Sequence, residues 1–203
     1  MIKSPILAAI ALAAAALSVS ANATVNTINL GSSLIDRVSA APSFSNGSLG
    51  VTIRGESNGS ALDVAMNSSG VGYDSGFFDP GELNSSAGNN PGDFITFTFN
   101  QAVNLTGLTM TGWENGFDKA ILSWGTKSVA LNSSSSILTL KDTFDLSGVT
   151  GTTFKLQAVG LGTAFRLYGL NATPVAAVPE ASTYALMGLG LVGIAAVRRR
   201  RAR

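Results

Sequence analysis

Between residues 93 and 110 hydrophobic and polar positions alternate almost without a break. In the stretch DFITFTFN, residues 93–100, Ile95, Phe97 and Phe99 share one face, while Thr96 and Thr98 share the other with Phe94. A period of two is that of a half-buried β-strand. Val103 and Leu105 continue the pattern, and the phase then changes to Leu108 and Met110, with Gly107 at the change. A glycine at a phase change predicts a bulge or bend. Further strand patterns cover 25–30, 50–55, 61–66, 120–124, 128–131, 137–140, 153–159 and 164–170. Gly, Ser and Asn clusters at 45–48, 57–60, 132–136 and 147–148 read as the turns between them. Roughly nine or ten short strands with regular turns and no long amphipathic helix predict an all-β fold. The expected architecture is an antiparallel β-sandwich, jelly-roll-like, over 24–172, with a Pro/Ala linker at 173–178.

The two ends break this pattern. Residues 1–23 carry Lys3, an apolar run from Ile6 to Leu17, and small residues at Ala21 and Ala23. A basic start, an apolar stretch of ~7–15 residues and an A-x-A site predict a signal peptide, with the mature chain starting at Thr24. At the other end, Tyr184 to Val197 is apolar or small throughout, and five of the last six residues are arginine. At ~1.5 Å per residue this run reaches only ~21 Å, against a hydrocarbon core of ~30 Å. With Thr183 added and the arginines snorkelling, it predicts a single transmembrane helix at about 183–197. Arg198, Arg199, Arg200, Arg201 and Arg203 then form a stop-transfer tail on the cytoplasmic side, and the β domain lies outside the inner membrane.

Val178-Pro179-Glu180-Ala181-Ser182, an apolar helix with Gly188, Gly190 and Gly193, and a terminal arginine cluster follow one another in that order. This arrangement resembles the PEP-CTERM sorting signal of exported proteins in Gram-negative bacteria. The family's usual core is Val-Pro-Glu-Pro followed by Ser or Thr, and here Ala181 stands at the second proline. The resemblance covers about the last 26 residues, 178–203. It implies a transient inner-membrane anchor, handed to an exosortase-type processing enzyme and removed near Pro179–Glu180. It also implies a destination at the cell surface or in the extracellular matrix, with exopolysaccharide and biofilm as the setting. A tail anchor that is never cut is the alternative. Pro179 suits an accessible motif, because proline keeps the preceding residue extended and blocks helix upstream.

Composition then narrows the chemistry. The chain has no cysteine and no histidine. An exported fold without disulfides rests on its core alone. Ser-His-Asp and Cys-His catalysis and His/Cys metal sites are excluded. Between Thr24 and Val178, seven basic residues face eleven acidic ones, a net charge of −4, so the near-neutral total comes from the tail. A mildly acidic domain argues against a nucleic-acid partner.

Three site hypotheses remain for the domain. The glycine-rich stretch 70–93 holds Asp74, Asp79, Glu82 and Asp93, oxygen donors of the kind calcium takes in sets of roughly six to eight. Its spacing is not that of an EF-hand, and solvated turn acids explain the same residues. Tyr73, Trp113 and Glu114, with Asn115, Asp118 and Trp124 nearby in sequence, are candidates for a sugar-binding face. There rings stack on sugars and polar groups bond the hydroxyls. Trp124 sits in a strand pattern and reads as core, whereas Trp113 reads equally as core or platform. A glycosidase would draw a carboxylate pair from Asp79, Glu82, Glu114 and Asp118, about 5–10 Å apart. Eleven acids supply such pairs by chance. The expectation is a non-enzymatic exported protein without a cofactor, or alternatively a carbohydrate-binding module.

Overall fold

The computed structural model describes residues 24–31, 37–57, 59–73, 81–85, 93–132, 141–175, 188–194 and 198–199. The signal peptide at 1–23, the motif at 178–182, the strand pattern at 137–140, Asp74, Asp79, Arg200, Arg201 and Arg203 fall outside them. In chain order the strands are β1 (Asn26–Asn29), β2 (Arg37–Ser39), β3 (Ser43–Asn46), β4 (Leu49–Ser57) and β5 (Ser60–Leu62). Next come β6 (Val64–Asn67), β7 (Gly70–Tyr73), β8 (Leu83–Asn84) and β9 (Phe94–Thr111). The series ends with β10 (Lys119–Trp124), β11 (Lys127–Leu131), β12 (Lys141–Val159) and β13 (Ala164–Pro174). Residues 188–194 and 198–199 are helical. No helix among the described residues is long and apolar enough to cross a membrane.

The fold is mostly antiparallel β-sheet, as the alternation requires. Its spine is β9, whose apolar positions Phe97, Phe99, Val103, Leu105, Leu108 and Met110 are all buried. Along one edge β9 pairs with β12 over nearly its whole length. Along the other it pairs first with β4 and then with β13. The thirteen strands among the described residues join through β9, β12 and β13 instead of dividing into two independently hydrogen-bonded sheets.

β9 must fold back on itself. Eighteen residues would span roughly 60 Å if straight. Yet Asp93, just before its start, bonds through its amide to Asn84, which pairs with Ala164 at the start of β13. Thr111, its last residue, pairs with Arg166 of the same strand. Both ends of β9 therefore meet one end of β13, and the middle of β9, near Gln101, turns at the opposite end. One aromatic group fills the space inside the bend. Phe97 stacks on Phe154 at 5.4 Å, and Phe99 meets both edge-on at 6.2 and 5.9 Å.

The phase change at Gly107 is a bulge. Asn171 pairs with Gly107 and Ala172 with Leu105, so Thr106 is the extra residue. On the other edge β12 carries three residues, 146–148, between the partners of Gly107 and Leu105. Gly148 supplies the positive φ of 70° that this kink needs. Ser147-Gly148 is thus a kink inside a nineteen-residue strand, where the composition read as a turn.

The stretch from 70 also differs from the expected loop. β7 is buried at every residue, and β8 pairs with β13. The glycines that read as loop material allow close packing: a methyl on Gly72 would run into the Gly81 carbonyl. β2 and β3, three and four residues long, were not anticipated from the pattern, and Asp63 separates β5 from β6 within the expected strand 61–66. The linker expected from 173 begins later. Thr173 and Pro174 pair with Asn104 and Val103, and the Val175 amide donates to the Ala102 carbonyl at 2.9 Å.

Candidate functional site

Trp113 follows the end of β9 and turns inward. It is 7% exposed, with its ring edge-on to Phe144 at 4.8 Å and tilted against Phe165 at 5.2 Å. Tyr73, at the end of β7, is 9% exposed. Neither ring offers a face to a sugar, so the stacking platform expected of this pair is not formed. Glu114 is exposed, and its backbone amide, not its carboxylate, does the local work. Trp124 is half-buried against the core.

Of the four candidate calcium ligands, Asp93 and Glu82 lie among the described residues. Asp93 is buried, and its Oδ2 accepts the Asn84 amide at 3.1 Å. Glu82 is half-buried beside Gly112, on the neighbouring turn. Among the described residues, no three acidic side chains come together as a metal site.

Asp118 holds the end of the domain together. It is 2% exposed, with Oδ2 accepting the Glu114 amide at 2.5 Å and Oδ1 accepting the Ala164 amide at 3.1 Å. Beside it the Thr163 hydroxyl accepts the Lys119 amide and donates to the Val159 carbonyl. The Thr163 amide donates to the Ser85 hydroxyl. The Asp118 carboxylate thus ties the 112–118 turn to β13, the Thr163 hydroxyl ties the 160–163 turn to β10 and β12, and the Thr163 backbone reaches Ser85. Burial pushes the Asp118 carboxyl above its ordinary value. The Glu114 and Ala164 amides pull it back in part, and the Glu114 charge adds a smaller upward push. Its only sequence signal is an acid just before a strand, a pattern shared with ordinary turns. Thr163 gives no signal at all.

Two lysines lie over rings, Lys141 over Tyr168 at 3.5 Å and Lys155 over Phe94 at 3.2 Å. A hydrogen bond from Lys141, and then one from Asn29, holds the Tyr168 phenol below its usual value. Elsewhere the outer face of β3, β4 and β9 carries an open depression of about 350 Å³, lined by Ser43, Ser45, Gly50, Thr52, Thr98 and Asn100 among others. Ser43, Thr52, Thr98 and Thr153 stand in register across four strands. The Ser43 and Thr52 hydroxyls bond each other at 2.9 Å. Asn100 braces one end by accepting the Gly50 amide and donating to the Ser48 carbonyl.

The remaining feature is the exit of the chain from the sheet. Among the described residues, Val175 is the last one paired to the sheet. Residues 177–201 match the PEP-CTERM protein-sorting motif. The PEP-CTERM match begins two residues after Val175 and takes in Val178, Pro179, Glu180, Ala181 and Ser182 together with Arg198 to Arg201. It tolerates Ala181 in place of the usual proline. A PEP-CTERM motif indicates an exported protein addressed to an exosortase-type enzyme, with membrane passage on the way. No curated protein and no solved structure matches the chain.

Proposed function

We propose that the chain is a non-enzymatic protein delivered by its signal peptide, held briefly in the inner membrane by its tail, and released by cleavage near Pro179–Glu180. Its domain then resides at the cell surface or in an exopolysaccharide-rich, biofilm-type matrix. The observation that carries this reading is the adjacency of the PEP-CTERM match to the last paired residue, Val175. Cutting there leaves the sheet whole. The absence of histidine and cysteine, and the structural employment of Asp93 and Asp118, support a role without catalysis.

Intact-mass measurement of the protein from cells tests this directly. With the processing enzyme present, the chain should start at Thr24 and end within 178–181. Without that enzyme, the C-terminus should remain Arg203. A chain that keeps Arg203 in both strains would mean a permanent anchor and would end the sorting reading.

The depression on β3, β4 and β9 favours carbohydrate binding as a second reading. Its lining offers hydroxyl and amide groups without charge, and its volume is at the lower end of the ~300–1,000 Å³ usual for small-molecule pockets. Gly50 is among its lining residues, and a Cβ added there would meet only ordinary contacts, the nearest being Asn100 Nδ2 at 3.6 Å. The backbone at Gly50 thus accommodates a Cβ, and Gly50→Leu places an apolar side chain at the depression. Titration with neutral oligosaccharides should show binding lost in Gly50→Leu and kept in Trp113→Phe. Equal binding by Gly50→Leu and the parent would dismiss the depression as the site.

A further inference from the structure

Among the described residues, the end of the sheet from which the tail leaves carries no charge. Four turns of the chain meet there: the middle of β9, the β12 stretch opposite it, the end of β13 and the start of β1. The β3–β4 turn lies beside them, since the Asn46 side chain donates to the Thr27 carbonyl and Asn100 donates to Ser48. The segments that form this end are 24–28, 44–52, 98–105, 149–153 and 170–175, and none contains Asp, Glu, Lys, Arg, Trp or Tyr. Along the paired strands the nearest charges stand well back. Asp145 is opposite Gly107, while Arg54 and Lys155 are both opposite Thr96. Lys127 sits out on β11, at the margin of the sheet. The opposite end, by contrast, gathers Glu82, Asp93, Glu114, Asp118, Lys119 and Arg166. A charge-free surface is uncommon on a soluble domain, whereas depletion of charge marks the core of a protein interface.

Reach decides what meets this surface. With the Val175–Ala102 bond made, Glu180 is five residues further on, no more than ~18 Å of extended chain. An enzyme that cuts near Pro179–Glu180 must therefore come against the end of the folded domain. We infer that this uncharged end, presenting Ala102, Thr150, Thr152 and Val25, is a docking surface for the membrane-embedded processing enzyme. The inference rests on the sorting reading and adds a contact outside the motif. The enzyme is a better occupant than lipid. A headgroup surface attracts Lys and Arg and is edged by Trp and Tyr, and the end has none of these. Its polar groups are instead Asn, Gln, Thr and Ser, which suit neutral hydrogen bonding across a protein interface. The rigid bracing by Asn46 and Asn100 presents them in fixed positions.

The test places charges on exposed positions of this end in the full chain: Ala102→Glu, Ala102→Lys and Thr152→Glu, with Phe117→Glu at the opposite end as control. Phe117 is 74% exposed, so the control adds charge at no packing cost. The readout is the rate at which the intact mass converts to the cut form in cells, beside the melting temperature of each domain. An unpaired charge trapped at an interface is costly, so each of the three should slow conversion roughly tenfold at unchanged melting temperature. Phe117→Glu should convert at the parent rate. Inserting about six Gly/Ser residues after Val175, up to ~20 Å of chain, should restore conversion of Ala102→Glu by removing the need for contact. Parent-like conversion of all three, in cells where loss of the enzyme still blocks cleavage, overturns the docking surface and leaves the sorting reading standing. Slowing by Ala102→Glu with acceleration by Ala102→Lys would assign the end to anionic lipid and overturn it equally.

Discussion

Asp118→Ala should destabilise the domain by about 2–4 kcal/mol, because it strands two backbone donors that the fold has taken from water. The Glu114 and Ala164 amides both end on this carboxylate, and the side chain is 2% exposed. Each buried donor left without a partner costs roughly 1–3 kcal/mol, and water reaches the Glu114 side more readily than the Ala164 side. Against a total of ~5–15 kcal/mol for an ordinary domain, the loss is large. Urea denaturation of the tail-free domain checks it. Asp118→Asn keeps the shape and one acceptor but turns an amide N–H toward one of the two donors, so it should recover part of the loss. If Ala and Asn variants both unfold at the parent midpoint, the carboxylate does not clasp these turns.

The pH dependence of this effect has a definite sign. Burial raises the folded-state carboxyl above its ordinary value, so the folded protein binds this proton more tightly than the unfolded chain does. The stabilisation Asp118 gives is then complete below the ordinary carboxylate range and declines as pH rises through the raised folded value. The stability gap between parent and Asp118→Ala should accordingly be widest in acid and narrow toward neutrality. A gap that widens with rising pH would mean that the two amide bonds outweigh burial.

What the sequence made legible follows from which interactions are local. The alternation through β9 and the bulge at Gly107 are written in neighbouring residues, and both appear in the structure as read. So are β10, β11 and the bulk of β4 and β13. The first half of β12 was hidden because a kink and a turn use the same residues, and only pairing with Gly107 and Leu105 tells them apart. β7 was hidden for a related reason: Gly70 and Gly72 reflect the closeness of β13 and Gly81, which no local pattern records. The site hypotheses fared differently from the strands. Trp113 read equally as core or platform, and burial against Phe144 and Phe165 resolves it toward core, while Tyr73, read as a sugar-binding candidate, is buried. The clasp at Asp118 and Thr163 joins residues 46 and 44 apart in the chain, through backbone amides that every residue type but proline possesses. The tail was legible because its chemistry is linear, and its elements act in order along the chain.

Changing Arg198, Arg199, Arg200, Arg201 and Arg203 together to serine should release the chain from the inner membrane uncut. On the proposed reading, the apolar run at 184–197 is held by those charges more than by its own hydrophobicity. Fourteen residues give ~21 Å of helix for a ~30 Å core, and Gly188, Gly190 and Gly193 add little to the gain from its leucines. A leucine or valine contributes only about 0.3–0.6 kcal/mol to insertion, whereas drawing one arginine to mid-membrane costs about 2.5–3.5 kcal/mol. Five arginines within six residues therefore make a barrier on the order of 10 kcal/mol to passing through, even after snorkelling reduces each cost. With serine in their place the barrier vanishes and the run, too short to hold alone, follows the domain across. Membrane and soluble fractions, probed with a C-terminal epitope, should show the epitope shifting to the soluble fraction on a chain of full length. Replacing the same five by lysine should leave anchoring and cleavage as in the parent, since either cation holds its end on the cytoplasmic side. If the serine variant stays in the membrane and is cut at the parent rate, the apolar run anchors unaided. The arginines would then be needed neither for anchoring nor for recognition by the enzyme, and the barrier argument would fall.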